Sequence, residues 1–290
     1  MLLYDFLINS FIVGLLVGGF YAIVSIGLSI SFGLMNVVNV AHPTFIIIAC
    51  YLVHLLYNFF SLDPIIGGVI LTPLFFMMGF TLYHFYYRFF EIRSESSLMG
   101  LIFFFALLVL GEIGLVLSVG TNYITVYTAY TMEAINIGVI RIPLRLLYPF
   151  LAGLATTIAL YFFFSKTFIG IAARAVAQDE QAAMLMGCDP LTVRRIAFGL
   201  SILTTAIAGG LLIAMQPVDP FLDRQLIGRV FTVVILGGMG SLLGSLIAGI
   251  ILGVVESLAT IFFQTGWNYV ITLFILILVL VFKPSGLFKR

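Results

Sequence analysis

Residues Val230 to Phe263 read VFTVVILGGMGSLLGSLIAGIILGVVESLATIFF, an apolar stretch with a single ionisable side chain, Glu256. About 20 apolar residues cross a bilayer core as a helix, so this stretch is too long for one simple pass. The run Gly237-Gly238-Met239-Gly240-Ser241 interrupts it, which predicts a broken or re-entrant helix pair. The stretch lacks the two-residue alternation of a barrel strand. Backbone polar groups in hydrocarbon must be satisfied internally, so helices are the form that remains.

Working outward, further apolar runs lie at Phe6 to Phe32, Ala41 to Phe60, Ile65 to Tyr87, Leu98 to Val119, Leu146 to Phe164, Ile196 to Met215 and Trp267 to Phe282. The expected fold is an all-α integral membrane protein, a polytopic helical bundle of about eight membrane segments that includes the broken or re-entrant helix. Composition agrees, since a chain that is 62% hydrophobic and 9% charged cannot cover a water-soluble globule, and the lipid bilayer is its solvent. A net charge of +1 gives no reason to expect a nucleic acid or another polyanion as partner. Cys50 lies in an apolar run and Cys188 in a polar loop, so no disulfide is expected. The first apolar stretch is too long and Gly-rich for a signal-peptide core and is expected to be a retained helix. No soluble domain or linker is legible, and residues 1–290 read as one membrane domain.

Cytoplasmic connections are enriched in Lys and Arg. One set of connections holds Arg88, Arg93, Lys166, Arg174, Arg194, Arg195, Lys283, Lys289 and Arg290, against Arg141, Arg145, Arg224 and Arg229 on the other. This places the N-terminus outside and the C-terminus in the cytoplasm. The largest cytoplasmic connection is then Ser165 to Arg195, and the largest external one Gly120 to Arg145.

Within the cytoplasmic connection, Arg174 to Gly187 is built from good helix formers, and Gly187 can supply the left-handed residue that stops a helix. A short extramembrane helix is predicted there. Asp189-Pro190 follows, a capping carboxylate and a first-turn proline that start the next span. The short helix ends in Ala182, Ala183, Met184, Leu185 and Met186, an apolar knob that water does not favour. Either a partner protein or the bilayer surface must cover it.

Four segments in order resemble the permeases of branched-chain, or hydrophobic, amino acid ABC importers, the LivH-like group, and the likeness covers nearly the whole chain. They are Gly27-Leu-Ser-Ile-Ser-Phe-Gly33 with Asn39-Val-Ala-His42, Arg174-Ala-Val-Ala-Gln-Asp179, Gly237 to Ser241, and the ending Lys283-Pro-Ser-Gly-Leu-Phe288. The resemblance implies an ATPase-docking element at Glu180, Gln181, Ala182, Ala183 and Gly187. Here glutamine replaces the first glutamate of the family's Glu-Ala-Ala, and Glu180 sits one residue earlier. Pro43 stands where the family usually has glycine. The resemblance further implies two ABC ATPase subunits, a second related permease and a periplasmic or tethered solute-binding protein in a bacterial inner membrane. It makes leucine, isoleucine and valine the expected substrates, with urea and short amides also open, moved by alternating access.

The chain itself has no phosphate-binding Gly-x-x-x-x-Gly-Lys-Ser/Thr loop, so no cofactor is expected here and ATP is left to partner subunits. No nucleophile and base grouping suggests enzymatic chemistry. Residues expected to line a translocation path are Gly237, Gly238, Gly240 and Ser241 of the break, Asn39 and His42 near the cytoplasmic mouth, and the intramembrane carboxylates Glu112 and Glu256. A buried charge at that depth must face a cavity or a partner. For Asn39 and His42 the competing role is a hydrogen-bonded turn, and for the carboxylates a satisfied interhelical contact. Gly14, Gly18 and Gly19, with Gly240, Gly244, Gly249 and Gly253, place small residues at four-residue spacing, as closely packed helices require. A second class of function, an ATP-independent transporter or channel, would instead use Glu112 or Glu256 to couple ions.

Overall fold

A computed structural model describes residues 2–91, 97–263 and 266–288 of the chain. Of the cations used for orientation, Arg93, Lys289 and Arg290 lie outside the described residues. Helix α1 (Leu2–Met35) is followed by α2 (His42–Phe60), α3 (Pro64–Ile70), α4 (Thr72–Tyr86) with a π-helical turn at Tyr87–Glu91, and α5 (Ser97–Val119). A β-hairpin of β1 (Ala134–Ile137) and β2 (Ile140–Pro143) leads into α6 (Leu144–Lys166), α7 (Phe168–Gln178) and α8 (Glu180–Leu185). The chain continues through α9 (Pro190–Met215), α10 (Asp223–Gly237), α11 (Leu242–Phe262) and α12 (Trp267–Phe282).

Among the described residues, six helices are long and apolar enough to cross a membrane: α1, α2, α5, α6, α9 and α11. The pair of α3 with α4 and its π-helical turn, bent by 43°, makes a seventh where it is counted as one span. Each apolar run read from the sequence coincides with a helix or a helix pair, and the polytopic helical fold is the observed one. The differences are local. The run Ile65 to Tyr87, expected to be continuous, bends at Leu71, where Pro73 enters the first turn of α4. The connection Gly120 to Arg145, expected on the outside, carries the two-stranded antiparallel hairpin, with Asn136 opposite Arg141, in a chain expected to be wholly helical. Helix α10 begins at Asp223, so Arg224 and Arg229, assigned above to an external loop, belong to a helix.

The long helices α1 and α9 pack against each other at the centre, α1 also against α11, α6 and α10 and α9 against α4, α2 and α3, and most of their residues are buried. Helices α1 and α11 run antiparallel along a seam of glycines. A Cβ on Gly18 would lie 2.5 Å from Ile250 Cα, and one on Gly14 2.6 Å from Val254 Cα. These backbones touch because neither has a side chain between them, which is the packing role the spacing predicted. Gly19, by contrast, turns toward the ring of Phe150 on α6.

The hairpin is tied to the start of α1. Asn9 Nδ2 donates to Val139 O at 2.9 Å, and Arg141 N–H donates to Asn9 Oδ1 at 2.8 Å. Asn9→Ala removes both bonds and frees the hairpin locally. Trypsin is expected to cut at Arg141 on the order of threefold faster or more, since cleavage follows local opening. Unchanged cleavage would mean that other contacts hold the hairpin.

Candidate functional site

The helix expected over Arg174 to Gly187 is two helices. Asp179, in extended conformation, ends α7 and caps α8, its carboxylate accepting from Ala182 N–H at 2.9 Å. The break follows from the aspartate's preference for the cap over a helix interior. Gly187 stops α8 with φ +84°, as expected, while Cys188 N–H donates to Ala183 O and Gly187 N–H to Met184 O, a Schellman stop. Asp189 then caps α9, with Pro190 at its first turn. The Thr192 hydroxyl donates to the Asp189 carboxylate at 2.5 Å, and with the Leu191 N–H it holds that group below the usual carboxylate range, against a smaller effect of desolvation.

Helix α8 presents its end outward. Leu185 is 88% exposed and Met186 85%, whereas Ala183 is 5% exposed and faces the protein. Gln181, Ala182 and Gly187 are exposed. Glu180 accepts from Arg194 on α9 at 2.7 Å, which ties α8 directly to a central span. Of the residues expected in a docking surface, Ala183 therefore faces the protein and Glu180 is paired to α9, while the exposed apolar area lies at Met184 to Met186.

At the glycine break, α10 ends at Gly237 and α11 starts at Leu242, capped by Ser241 Oγ accepting from Gly244 N–H at 3.0 Å. Gly238 and Gly240 hold φ of +91° and +82°. Gly240 lies against Gly33 of α1, so closely that a Cβ on Gly33 would sit 2.0 Å from Gly240 Cα. The C-terminal segment folds beneath the break, with Leu287 N–H donating to Leu236 O at 2.8 Å. Thus three of the segments that carried the family resemblance meet in space: the end of Gly27 to Gly33, the break and Lys283 to Phe288. A cavity of about 150 Å³ opens beside Gly240, Ser241, Ile30, Tyr161 and Arg174 on this same face.

Asn39 and His42 are fully buried. The chain leaves α1 at Asn36, in the left-handed conformation, and climbs back along the helix, so that His42 Nε2 meets Val24 O at 3.1 Å. Val24 is eleven residues before the end of α1, which puts His42 about 16 Å along it. The connection thus runs back into the core and carries His42 from the end of α1, beside which the sequence reading placed it, to the level of Val24. Asn39 Oδ1 accepts from Ala41 N–H at 3.1 Å, a turn contact, and Pro43 sits in the first turn of α2, where its missing N–H costs nothing.

The two carboxylates are each paired. Glu112 on α5 accepts from both Nε and Nη2 of Arg224 at 2.9 Å, beside Phe221. Glu256 on α11 accepts from Tyr21 Oη at 2.6 Å, from Arg229 Nε at 3.2 Å and from the Thr272 hydroxyl. This second cluster forms the floor of a cavity of about 520 Å³ that opens toward the hairpin face, with Arg145, Gln216 and Asn268 on its walls. Tyr21, Arg229 and Thr272 escaped the sequence reading. Arg229 stands at the edge of an apolar run, 27 residues before its carboxylate partner, and no local pattern links the two.

Comparison with known proteins agrees with this architecture. Residues 10–280 match the family model described as branched-chain amino acid transport system / permease component. The chain is 26% identical to the high-affinity branched-chain amino acid transport system permease protein LivH of Salmonella typhimurium, over 96% of this chain and 94% of the relative. It is 26% identical to BraD, a high-affinity branched-chain amino acid transport system permease protein of Pseudomonas aeruginosa, with the same coverage. It is 27% identical to a probable branched-chain amino acid transport permease protein LivH of Methanocaldococcus jannaschii, over 91% of this chain and 87% of the relative. No solved structure matches. With the family model spanning nearly its full length over a polytopic bundle of apolar helices, the chain belongs to the branched-chain amino acid transport system permease family.

Proposed function

We propose that this chain is the membrane-spanning permease subunit of an ABC importer that moves branched-chain amino acids inward by alternating access, powered by ATPases on separate subunits. Two ATPases, a second related permease and an external solute-binding protein complete the assembly. The face bearing α7 and α8 is cytoplasmic, and the face bearing the hairpin receives the binding protein. The observation that carries the reading is α8: a capped, rigidly stopped helix whose exposed end is Leu185 and Met186 and whose start is ion-paired to α9 through Glu180 and Arg194. Such an element gives a partner an apolar handle on a central span, and an exposed apolar end of this kind is a recognition surface.

The test is a mild-detergent pull-down of the tagged chain co-expressed with its neighbouring genes. ATPase recovered with the native chain and lost with Leu185→Glu and Met186→Glu is the expected result. Both substitutions keep the buried Ala183 support intact, so loss of partner without loss of folded permease isolates the docking surface. Recovery of ATPase with both variants would remove α8 from the interface. Absence of any ATPase, together with ion-driven solute movement by the chain alone, would overturn the importer reading.

A further inference from the structure

We infer that the groove between α5 and the start of α10, around Glu112 and Arg224, is the surface on which the second, related permease packs, and that this partner brings an apolar helix carrying a hydrogen-bond acceptor opposite Arg224. The inference rests on the importer reading above and adds which face of this chain meets its membrane partner.

Helix α5 is the least covered of the six long apolar helices. Only 17% of its most apolar stretch is buried, against 28% to 83% for the other five. A lipid-facing helix would show the same exposure, so the groove beside it decides the matter. Val109, Ile113, Val116 and Leu117 of α5 and Phe221 just before α10 wall a concave space of about 410 Å³, and the pair of Glu112 and Arg224 sits in it. The α5 positions recur at the three- and four-residue spacing of one helix face.

The charge in that groove excludes hydrocarbon as its cover. Glu112 is seven residues from the end of α5, which puts it about 10 Å inside that end, and the exposed, apolar Leu117 and Val119 lie beyond it. Arg224 does not reach past them to a polar surface, because Nε and Nη2 both hold the Glu112 carboxylate at 2.9 Å and fix the guanidinium at its level. The Arg224 side chain is nevertheless 64% exposed. A guanidinium within a membrane segment faces protein or water and not acyl chains. Since the walls around it are apolar, a second helix is the cover that buries them and also supplies an acceptor for the edge of the guanidinium that Glu112 leaves open. Of the partners in the importer reading, the second permease is the one that spans the membrane and reaches this depth.

The groove is shaped before any partner arrives. Thr44 on α2 joins its two sides: its hydroxyl donates to the wholly buried Asp223 carboxylate at 2.6 Å, and its methyl group is what a Cβ on Gly111 of α5 would meet at 2.7 Å. Helices α2, α5 and α10 therefore meet at one residue, and a partner has little ordering left to do there.

The photoreactive variants Ile113→p-benzoylphenylalanine and Leu117→p-benzoylphenylalanine test this in membranes of cells that co-express the chain with its neighbouring genes. Phe162 on α6, also exposed, is the comparison position. The benzophenone inserts into C–H bonds of whatever touches it, protein or acyl chain, and mass spectrometry identifies the adduct. Illumination is expected to join the two α5 variants to the second permease at least about fivefold more than the Phe162 variant, since packed helices exclude lipid from between them. Adducts to lipid alone at both positions, adducts to a second copy of this chain, or partner adducts no more frequent than at Phe162 would overturn the assignment. An ATPase pull-down from the same membranes separates the two readings. ATPase recovered while α5 captures only lipid leaves the importer standing and removes this surface; capture of the second permease with no ATPase recovered keeps the surface and removes the importer.

Discussion

Glu256→Ala destabilises the folded chain by about 3–5 kcal/mol, because it strands Arg229 in a site that leaves its side chain only 17% exposed. The Tyr21 and Thr272 hydroxyls lose their acceptor at the same time. The cost is that of an uncompensated buried charge, which exceeds the net worth of the pair itself. Consequently the double variant Arg229→Leu with Glu256→Leu is expected to recover most of the lost stability, since two apolar side chains of similar volume need no solvation. Thermal unfolding of the purified single and double variants measures the difference. A single variant as stable as native, or a double variant no more stable than the single, would refute the buried pair.

The second large effect belongs to the glycine seam. Gly18→Leu places its first carbon where Ile250 Cα stands only 2.5 Å away, and Gly249 O lies 2.8 Å away. Backbone atoms cannot rotate aside as a side chain would, so α1 and α11 must separate along their length. Overpacking against yielding side chains costs about 1–3 kcal/mol, and this substitution is expected at or above the top of that range. Gly114→Leu on α5 is the control. Its added carbon meets nothing within 4 Å, and its effect is expected to stay within about 0.5 kcal/mol. Melting of the two variants in one detergent compares them; equal melting temperatures would show that the seam does not hold the bundle together.

Much of the architecture is legible in the order of the amino acids. Apolar length placed every membrane helix, because hydrocarbon forces each segment to satisfy its own backbone. Cap chemistry placed the left-handed stop at Gly187 and the start of α9 at Asp189-Pro190, since both depend on neighbouring residues alone. Four-residue glycine spacing announced close packing, though it left the partner helix unnamed. The short helix expected in the Ser165 to Arg195 connection is present, yet Asp179 divided it, and the side of α8 that faces outward depended on Arg194 holding Glu180.

What the sequence by itself determined, then, is local: which segments enter the membrane, where helices stop, and which family the chain resembles. Tertiary structure alone decided the rest, which is everything that joins distant residues. It lifted His42 from the expected mouth to the level of Val24, gave Glu112 to Arg224 and Glu256 to Arg229 and Tyr21, and folded Leu287 under the glycine break. The physical reason is that a charge or an orphaned polar group in lipid demands a partner without specifying which one. Among residues far apart in sequence, only the packing of helices settles which groups come within reach.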